Sequence, residues 1–198
     1  MSHLKEKKPL IIGITGASGF IYGVRLLRIL HEIPCIETHL IISKAAQWTR
    51  HYETDVTVED LHQLADVVHP ISDLAACLSS GSFRSHGMII APCSMNTLAE
   101  IAHGITPNLI ARAADVILKE RKRLVLMVRE SPLHLVHLEN MCKVTQLGAI
   151  IAPPMPAFYQ KPQTIDDIID HSVGRVLDLF DIDSNIVKRW NPMKKEQS

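Results

Sequence analysis

Short unbroken apolar runs alternate along this chain with longer stretches in which apolar positions recur every three or four residues. The first run, Pro9 to Ile14, predicts a strand buried on both faces. Behind it, Ile21, Val24, Leu27 and Ile29–Leu30, interleaved with Arg25 and Arg28 and followed by Glu32, predict a helix over Phe20–Leu30 with its apolar face toward the sheet. The alternation then repeats. Glu37–Ile42 predicts a second strand, the stretch around Ala45–Thr49 a helix, residues 57–66 a short helix and Val67–Val68 a short strand. Ser79–Phe83 is rich in turn residues and has no period. Gly87–Ala91 predicts a buried strand, Leu98–His103 a helix, Asn108–Arg121 an amphipathic helix and Leu124–Val128 a strand. Leu133–Leu147 (helix), Ala149–Ala152 (strand) and Ile165–Leu179 (long helix) complete the series, with a stiff proline loop at 153–156. Strands separated by helices, with no repeat and no linker, predict a single α/β domain of three layers around a mainly parallel sheet. The pattern places that domain at residues 9–190, between polar tails at 1–8 and 191–198.

Composition changes the picture by exclusion. The 198 residues are 46% hydrophobic, enough for a sizeable core, and 21 basic side chains balance 21 acidic ones. A net charge of zero leaves no electrostatic footprint for nucleic acid or an anionic membrane, and the mildly basic stretch Lys188–Lys195 reads as a solvated end. Cys35, Cys77, Cys93 and Cys142 show no paired spacing, so neither a disulfide framework nor a zinc ribbon is expected. Residues 1–8 lack the apolar centre of a signal peptide, and no apolar run reaches the ~18 residues of a membrane span. The expectation is a cytoplasmic protein.

Candidate chemistry lies at the strand ends, because open α/β sheets bind ligands at their carboxyl edge. Those ends read Gly16-Ala17-Ser18, Ser43-Lys44, Ser94-Met95-Asn96-Thr97, Arg129-Glu130 and, past the last strand, Phe158-Tyr159. The turn Gly13–Gly19 between first strand and first helix would aim backbone N–H groups and a helix N-terminus at an anion, with the Ser18 hydroxyl beside it. Three hydroxyl-bearing turns and one arginine suit a phosphate joined to a polar ring system. A Rossmann-like dehydrogenase reading fails. The second strand ends in Ser43-Lys44 with no acidic residue for a ribose, and Tyr22, Tyr52 and Tyr159 are followed four residues on by Leu26, Val56 and Gln163 rather than lysine. His134-x-x-His137 has no third ligand at a metal-binding spacing, so no metal is expected. Cys93 has no partner spaced to activate it and reads as a buried turn thiol.

Taken in order, Thr15–Gly19, Ser43–Ala46, Glu53–Asp55, Ser80–Phe83, Ala91–Met95, Arg112–Val116, Leu118–Arg121, Val128–Glu130, Pro153–Tyr159 and Arg175–Asp178 resemble the UbiX-type flavin prenyltransferases. The resemblance covers about residues 9 to 190. It implies the Rossmann-like homo-oligomeric flavin-containing decarboxylase-like fold. The implied reaction joins a dimethylallyl group from dimethylallyl phosphate to N5 and C6 of reduced FMN, without a metal. The prenylated FMN then serves UbiD-type decarboxylases, and the family assembles as a dodecamer with sites between subunits. The resemblance assigns FMN to Gly16, Ala17, Ser18, Ser43, Ser94, Met95, Asn96, Thr97 and Arg129. It assigns dimethylallyl phosphate to Tyr159 and Arg175, with Arg112 and Lys119 as further cations. Glu53 and Glu130 become the site carboxylates and Ser18 a further catalytic candidate; the general base stays open among these groups and the released phosphate. Two departures stand out: Asn96 where many members carry lysine, and no aromatic near Leu74. The competing readings are a flavin-dependent cysteine decarboxylase, whose flavin turn resembles Pro92–Thr97, and a non-catalytic FMN-delivery subunit. Lys119, Arg129-Glu130, Tyr159 and Arg175 together argue against the first, since a peptide thiol has no use for an allyl-phosphate site.

Overall fold

The computed structural model describes residues 7–186 and divides the chain after Pro153 into two compact units. The first holds six strands, all parallel: β1 (Lys8–Ile14), β2 (Ile36–Ile42), β3 (Val67–His69), β4 (Gly87–Cys93), β5 (Arg123–Val128) and β6 (Ile150–Ile151). They stand in the order β3-β2-β1-β4-β5-β6. The helices of this unit are α1 (Phe20–His31), α2 (Lys44–Glu53), α3 (Val58–Leu64), α4 (Met95–His103), α5 (Leu109–Lys119) and α6 (Leu135–Gln146), with a short 3-10 turn at Cys77–Ser79. The second unit carries a 3-10 turn at Phe158–Gln160 and α7 (Ile165–Asp178). Tail residues 1–6 and 187–198, the basic stretch included, lie outside the described residues, while Lys8 belongs to β1.

Alternation along the strands explains the layering. Ile11, Ile41, Met88, Ile90, Leu124 and Leu126 point into one apolar cluster with Leu98 of α4 and Ile110, Ala113 and Ile117 of α5. The intervening side chains of β1 face the other way, where α1 packs close enough that a Cβ on Gly23 would meet Ile14 Cδ1 at 2.6 Å. Burial on both sides is why the strands read as unbroken apolar runs.

The buried face of α1 is Phe20, Gly23, Val24, Leu26, Leu27 and Leu30, whereas Ile21 and Ile29 are only half-buried. Helix α4 begins at Met95, three residues earlier than the periodicity predicts, because Ser94 Oγ accepts from Thr97 N at 3.3 Å and turns the strand end into a helix cap. Asn108 caps α5 in the same way through Ala111 N. The 3-10 turn at 77–79 is too short to carry a periodic signal.

Asp66 ties β3 to β2, accepting from Thr38 N at 2.8 Å, Thr38 Oγ1 at 3.0 Å and Lys7 Nζ at 2.8 Å. Burial opposes its charge, but the bonds from Lys7 and Thr38 outweigh it and hold the carboxyl below its usual value. A folded pKa below the unfolded one gives stability that is complete above the unfolded value, about 3.9, and is lost as pH falls through the folded one. Asp66→Asn is expected to cost about 1 kcal/mol at neutral pH and to remove this acid-side decline, as read from denaturant unfolding across pH.

Candidate functional site

The strand order fixes where a ligand belongs. From β1 the chain runs outward through β2 and β3, then returns to place β4 on the other side of β1, so the sheet reverses direction between β1 and β4. At such a point the loops beyond the two strands part and leave a crevice at the carboxyl edge. Gly16–Ser18 and Ser94–Thr97 are the loops on its two sides.

Those loops are bonded into one continuous edge. Thr15 is 1% exposed; its Oγ1 donates to Pro92 O at 2.8 Å and accepts from Ser94 N at 2.8 Å. On one flank Ser43 N donates to Ile14 O at 2.9 Å, and on the other Arg129 N donates to Cys93 O at 3.1 Å. A register shift in the β4–β5 pairing between Ile90 and Cys93 turns the end of β4 at this point. The turns ending in Ser43, Ser18, Ser94 and Arg129, four of the five strand-end groups expected to converge, are therefore held side by side. Thr15 was not among the candidate residues, because a threonine ending a buried strand carries no chemical signature in sequence. Thr15→Val keeps the shape and strands a buried Ser94 N–H. It is expected to cost about 2 kcal/mol of stability, measured by denaturant unfolding.

Two hydroxyl-capped helix N-termini open on this edge. Ser43 Oγ accepts from Ala46 N at 3.1 Å at the start of α2, and Ser94 performs the same role for α4. Both present N–H groups and the positive end of a helix dipole. The N-terminus of α1 differs. Glu53 Oε2 accepts from Gly19 N at 2.8 Å and Phe20 N at 2.9 Å. A carboxylate ending α2 is disfavoured by that helix's own dipole and favoured by the N-terminus of α1, which explains the reach. The helix N-terminus that the glycine turn was expected to aim at an anion thus already holds one. Gly16 is obligatory for another reason: α2 lies so close that an added Cβ would collide with Ala45 Cβ. Ser18, which precedes the Gly19 N–H held by Glu53, is exposed.

The remaining edge residues divide by what they can offer. Met95 packs its side chain on the core cluster and so offers the edge its backbone. Thr97 is buried, with its hydroxyl accepting from Ser94 Oγ at 3.2 Å. Asn96 Nδ2 donates to Glu100 Oε1 at 2.8 Å. Arg129 is exposed, and its guanidinium takes part in no ion pair among the described residues. Glu130 Oε1 accepts from the following Ser131 N at 2.9 Å. Burial pushes the Cys93 thiol far up, which fits an inert turn cysteine.

Lys119 is not brought to this edge, and Arg112 is bonded to groups other than its loops. Helix α5 runs back from the carboxyl side and ends at Lys119, four residues before Arg123, which pairs with Gly87 at the amino end of the sheet. Arg112 donates to Asp115 Oδ2 at 2.8 Å and to Ser79 O at 3.1 Å. Lys119 pairs with Glu120 and lies against Gly81, where an added Cβ would meet its Nζ at 2.5 Å. The Ser79–Gly81 loop thus carries both cations. In the second unit Tyr159 Oη lies 3.2 Å from His171 Nε2, and Arg175, one helical turn beyond His171, donates to Asp178 Oδ2 at 2.6 Å. Burial first, and then the nearby Arg175 charge, holds His171 below the usual imidazole pKa. His171 links the two residues assigned to the prenyl phosphate; its spacing to Arg175 on one helix face was the available signal.

A parallel sheet with a reversal-point crevice, two capped helix N-termini and an exposed arginine in no ion pair among the described residues defines a binder of phosphate-bearing cofactors, and residues 1–190 match the flavoprotein family. The chain is 55% identical over 186 residues to the flavin prenyltransferase UbiX of Neisseria meningitidis serogroup B, covering 94% of this chain and 98% of that protein. The structure of AnUbiX in complex with FMN and dimethylallyl pyrophosphate superposes with a TM-score of 0.92 at 52% identity, covering 94% of this chain and 98% of that one. A dodecameric FMN-dependent Ubix-like decarboxylase from Escherichia coli O157:H7 gives 0.91 at 51% identity, covering 92% and 99%. The chain belongs to the UbiX-type flavin prenyltransferases.

Proposed function

We propose that this chain transfers a dimethylallyl group from dimethylallyl phosphate to reduced FMN, with residues 9–190 acting as one catalytic unit. The observation that carries the reading is the bonded carboxyl edge running from Ser43 through Thr15 and Ser94 to Arg129. Its residues fit FMN: capped helix N-termini and an unpaired guanidinium for anionic groups, and the backbone of Gly16–Ser18 and Met95–Thr97 for the rest. Reduced FMN supplies the N5 and C6 that accept the prenyl group.

The protein's part is charge and position. Leaving of an allylic phosphate builds negative charge on its oxygens, and Arg112, Lys119 and Arg175 stabilise that charge, with Tyr159 as a further hydrogen-bond partner. Holding donor against acceptor supplies the orientation term. Joining C6 requires a proton to leave, and in this reading Glu53, Glu130 or Ser18 takes it or steers it. Lys119 lies toward the opposite end of the sheet from the flavin edge, so in this reading it serves the site of a neighbouring subunit. The dodecameric relative supports such an assembly. The product passes to a UbiD-type decarboxylase. Four free cysteines fit a reducing compartment, and we place the protein in the cytoplasm. Among the described residues no helix is long and apolar enough to cross a membrane.

Anaerobic incubation with reduced FMN and either dimethylallyl phosphate or the diphosphate, followed by mass analysis of the flavin, tests the reading. A gain of one C5 isoprenoid unit is expected. Unmodified flavin on folded, FMN-bound protein would instead favour the delivery-subunit or cysteine-decarboxylase reading. In the same assay Glu53→Gln keeps one capping acceptor for α1, and is expected to retain FMN while slowing product formation about 100-fold. Wild-type turnover would reduce Glu53 to the capping role seen at Gly19 and Phe20.

A further inference from the structure

On the β3 side of the sheet a cluster of donor atoms plays no part in the chemistry above. His39 Nδ1 lies 2.9 Å from His69 Nε2, and Cys77 Sγ completes a set whose members are all within 4.8 Å of one another. Strands β2 and β3 and the 3-10 turn each supply one of them. The His39 and His69 rings stack with centroids 5.2 Å apart and 14° between planes, while Phe83 closes on His39 edge-first. His39 is buried, and its far nitrogen Nε2 lies 3.2 Å from Glu37 Oε2.

We propose that His39 Nδ1, His69 Nε2 and Cys77 Sγ form a zinc-binding site, with the Glu37 carboxylate orienting His39 from behind. Three features carry it. The donor set of two imidazoles and one thiolate is that of a zinc site with one position left to water. Ligand atoms around tetrahedral zinc stand about 3.3–3.6 Å apart, and the present set brackets those values, with the two imidazole nitrogens 2.9 Å apart and every pair within 4.8 Å. A carboxylate behind a ligating histidine fixes its tautomer: the proton on His39 Nε2 faces Glu37, which leaves the Nδ1 lone pair toward His69 and Cys77. Without metal, His69 Nε2–H donates to that lone pair. Zinc takes the place of this proton, which moves to His69 Nδ1 as the ring changes tautomer, and the Cys77 thiol proton goes to solvent.

The site has a consequence for the loop that follows. Cys77 opens the turn whose Ser79 carbonyl holds Arg112 and whose Gly81 abuts Lys119. Zinc would pin that loop to the sheet edge. Exposure of Cys77 gives the ion its way in.

The test uses the tag-free full chain stripped with a chelator and titrated with zinc chloride alone, then with cobalt(II) as a spectroscopic stand-in. The expected result is one metal per chain, a thiolate-to-cobalt charge-transfer band, tetrahedral ligand-field bands and a higher thermal midpoint. Cys77→Ser should abolish the charge-transfer band, and His69→Gln should weaken zinc at least about ten-fold. Both side chains are at least partly exposed, and FMN titration of each variant verifies that it has folded. Glu37→Gln should lower affinity about 10- to 100-fold with the cobalt spectrum preserved. The proposal is overturned by an absence of stoichiometric binding. It is equally overturned if binding is indifferent to Cys77→Ser and His69→Gln, or is lost on His137→Ala, which would assign the metal to the stacked His134–His137 pair.

Discussion

Arg129→Ala should bind FMN about 30-fold more weakly than wild type while unfolding at the same denaturant concentration. The two halves of this expectation rest on different atoms. The backbone N–H of Arg129 donates to Cys93 O and survives the substitution, so the β4–β5 edge stays closed. The guanidinium is exposed and enters no ion pair among the described residues, so its removal leaves no buried acceptor unpaired. What is lost is a charge-assisted contact to an anionic ligand, worth about 2 kcal/mol, or roughly a 30-fold change in Kd. Titrating both redox states locates the contact. Equal losses for oxidised and reduced FMN assign Arg129 to the phosphate, which is charged in both; a loss confined to the reduced form assigns it to the ring, which gains negative charge on reduction. Added salt should weaken wild-type binding and have less effect on the variant, since screening acts on the charge removed. Unchanged affinity in both states would take Arg129 out of the flavin site.

The parts of the site that were legible in the sequence are those attached to strand ends. A run such as Pro9–Ile14 announces a buried strand, and in a parallel sheet every strand end lies on one edge, so Ser18, Ser43, Ser94 and Arg129 follow from periodicity and one rule of topology. Side-chain reach is what periodicity does not encode. Glu53 ends α2, and only the three-dimensional turn shows its carboxylate at the start of α1. Thr15 looks like one more strand residue until its hydroxyl is seen joining Pro92 to Ser94. The pairing of His39 with His69 depends on the β2–β3 register, in which Ile41 and not His39 faces His69. Arg112 and Lys119 illustrate a subtler gap. Their motif assigns them to the prenyl phosphate, whereas their position on the descending helix before β5 puts Lys119 at the amino end. The reading proposed above reconciles motif and topology by letting one site draw on two chains.

That conflict yields a decisive mixing experiment. Arg129→Ala damages the flavin edge and Lys119→Ala the phosphate-binding cation, and each variant alone should turn over about 100-fold more slowly than wild type. If one chain supplied both groups, mixing the variants would leave every site with a defect and restore nothing. If Lys119 serves a neighbouring subunit, dissociation and random reassembly of an equal mixture unites an intact flavin edge with an intact lysine in about a quarter of the sites, because each partner is drawn independently. Recovered activity should therefore approach a quarter of wild type, with the remaining sites singly or doubly impaired. The control is reassembly of each variant with itself, which should recover nothing. Gly81→Ala offers a second route to the same conclusion. Its Cβ would collide with both members of the Lys119–Glu120 pair, and the nearest atoms it meets include none of the flavin edge. It should then mimic Lys119→Ala, complementing Arg129→Ala and failing to complement Lys119→Ala. Absence of complementation in well-mixed oligomers would place the whole site within one chain, and Lys119 would then be a surface partner of Glu120.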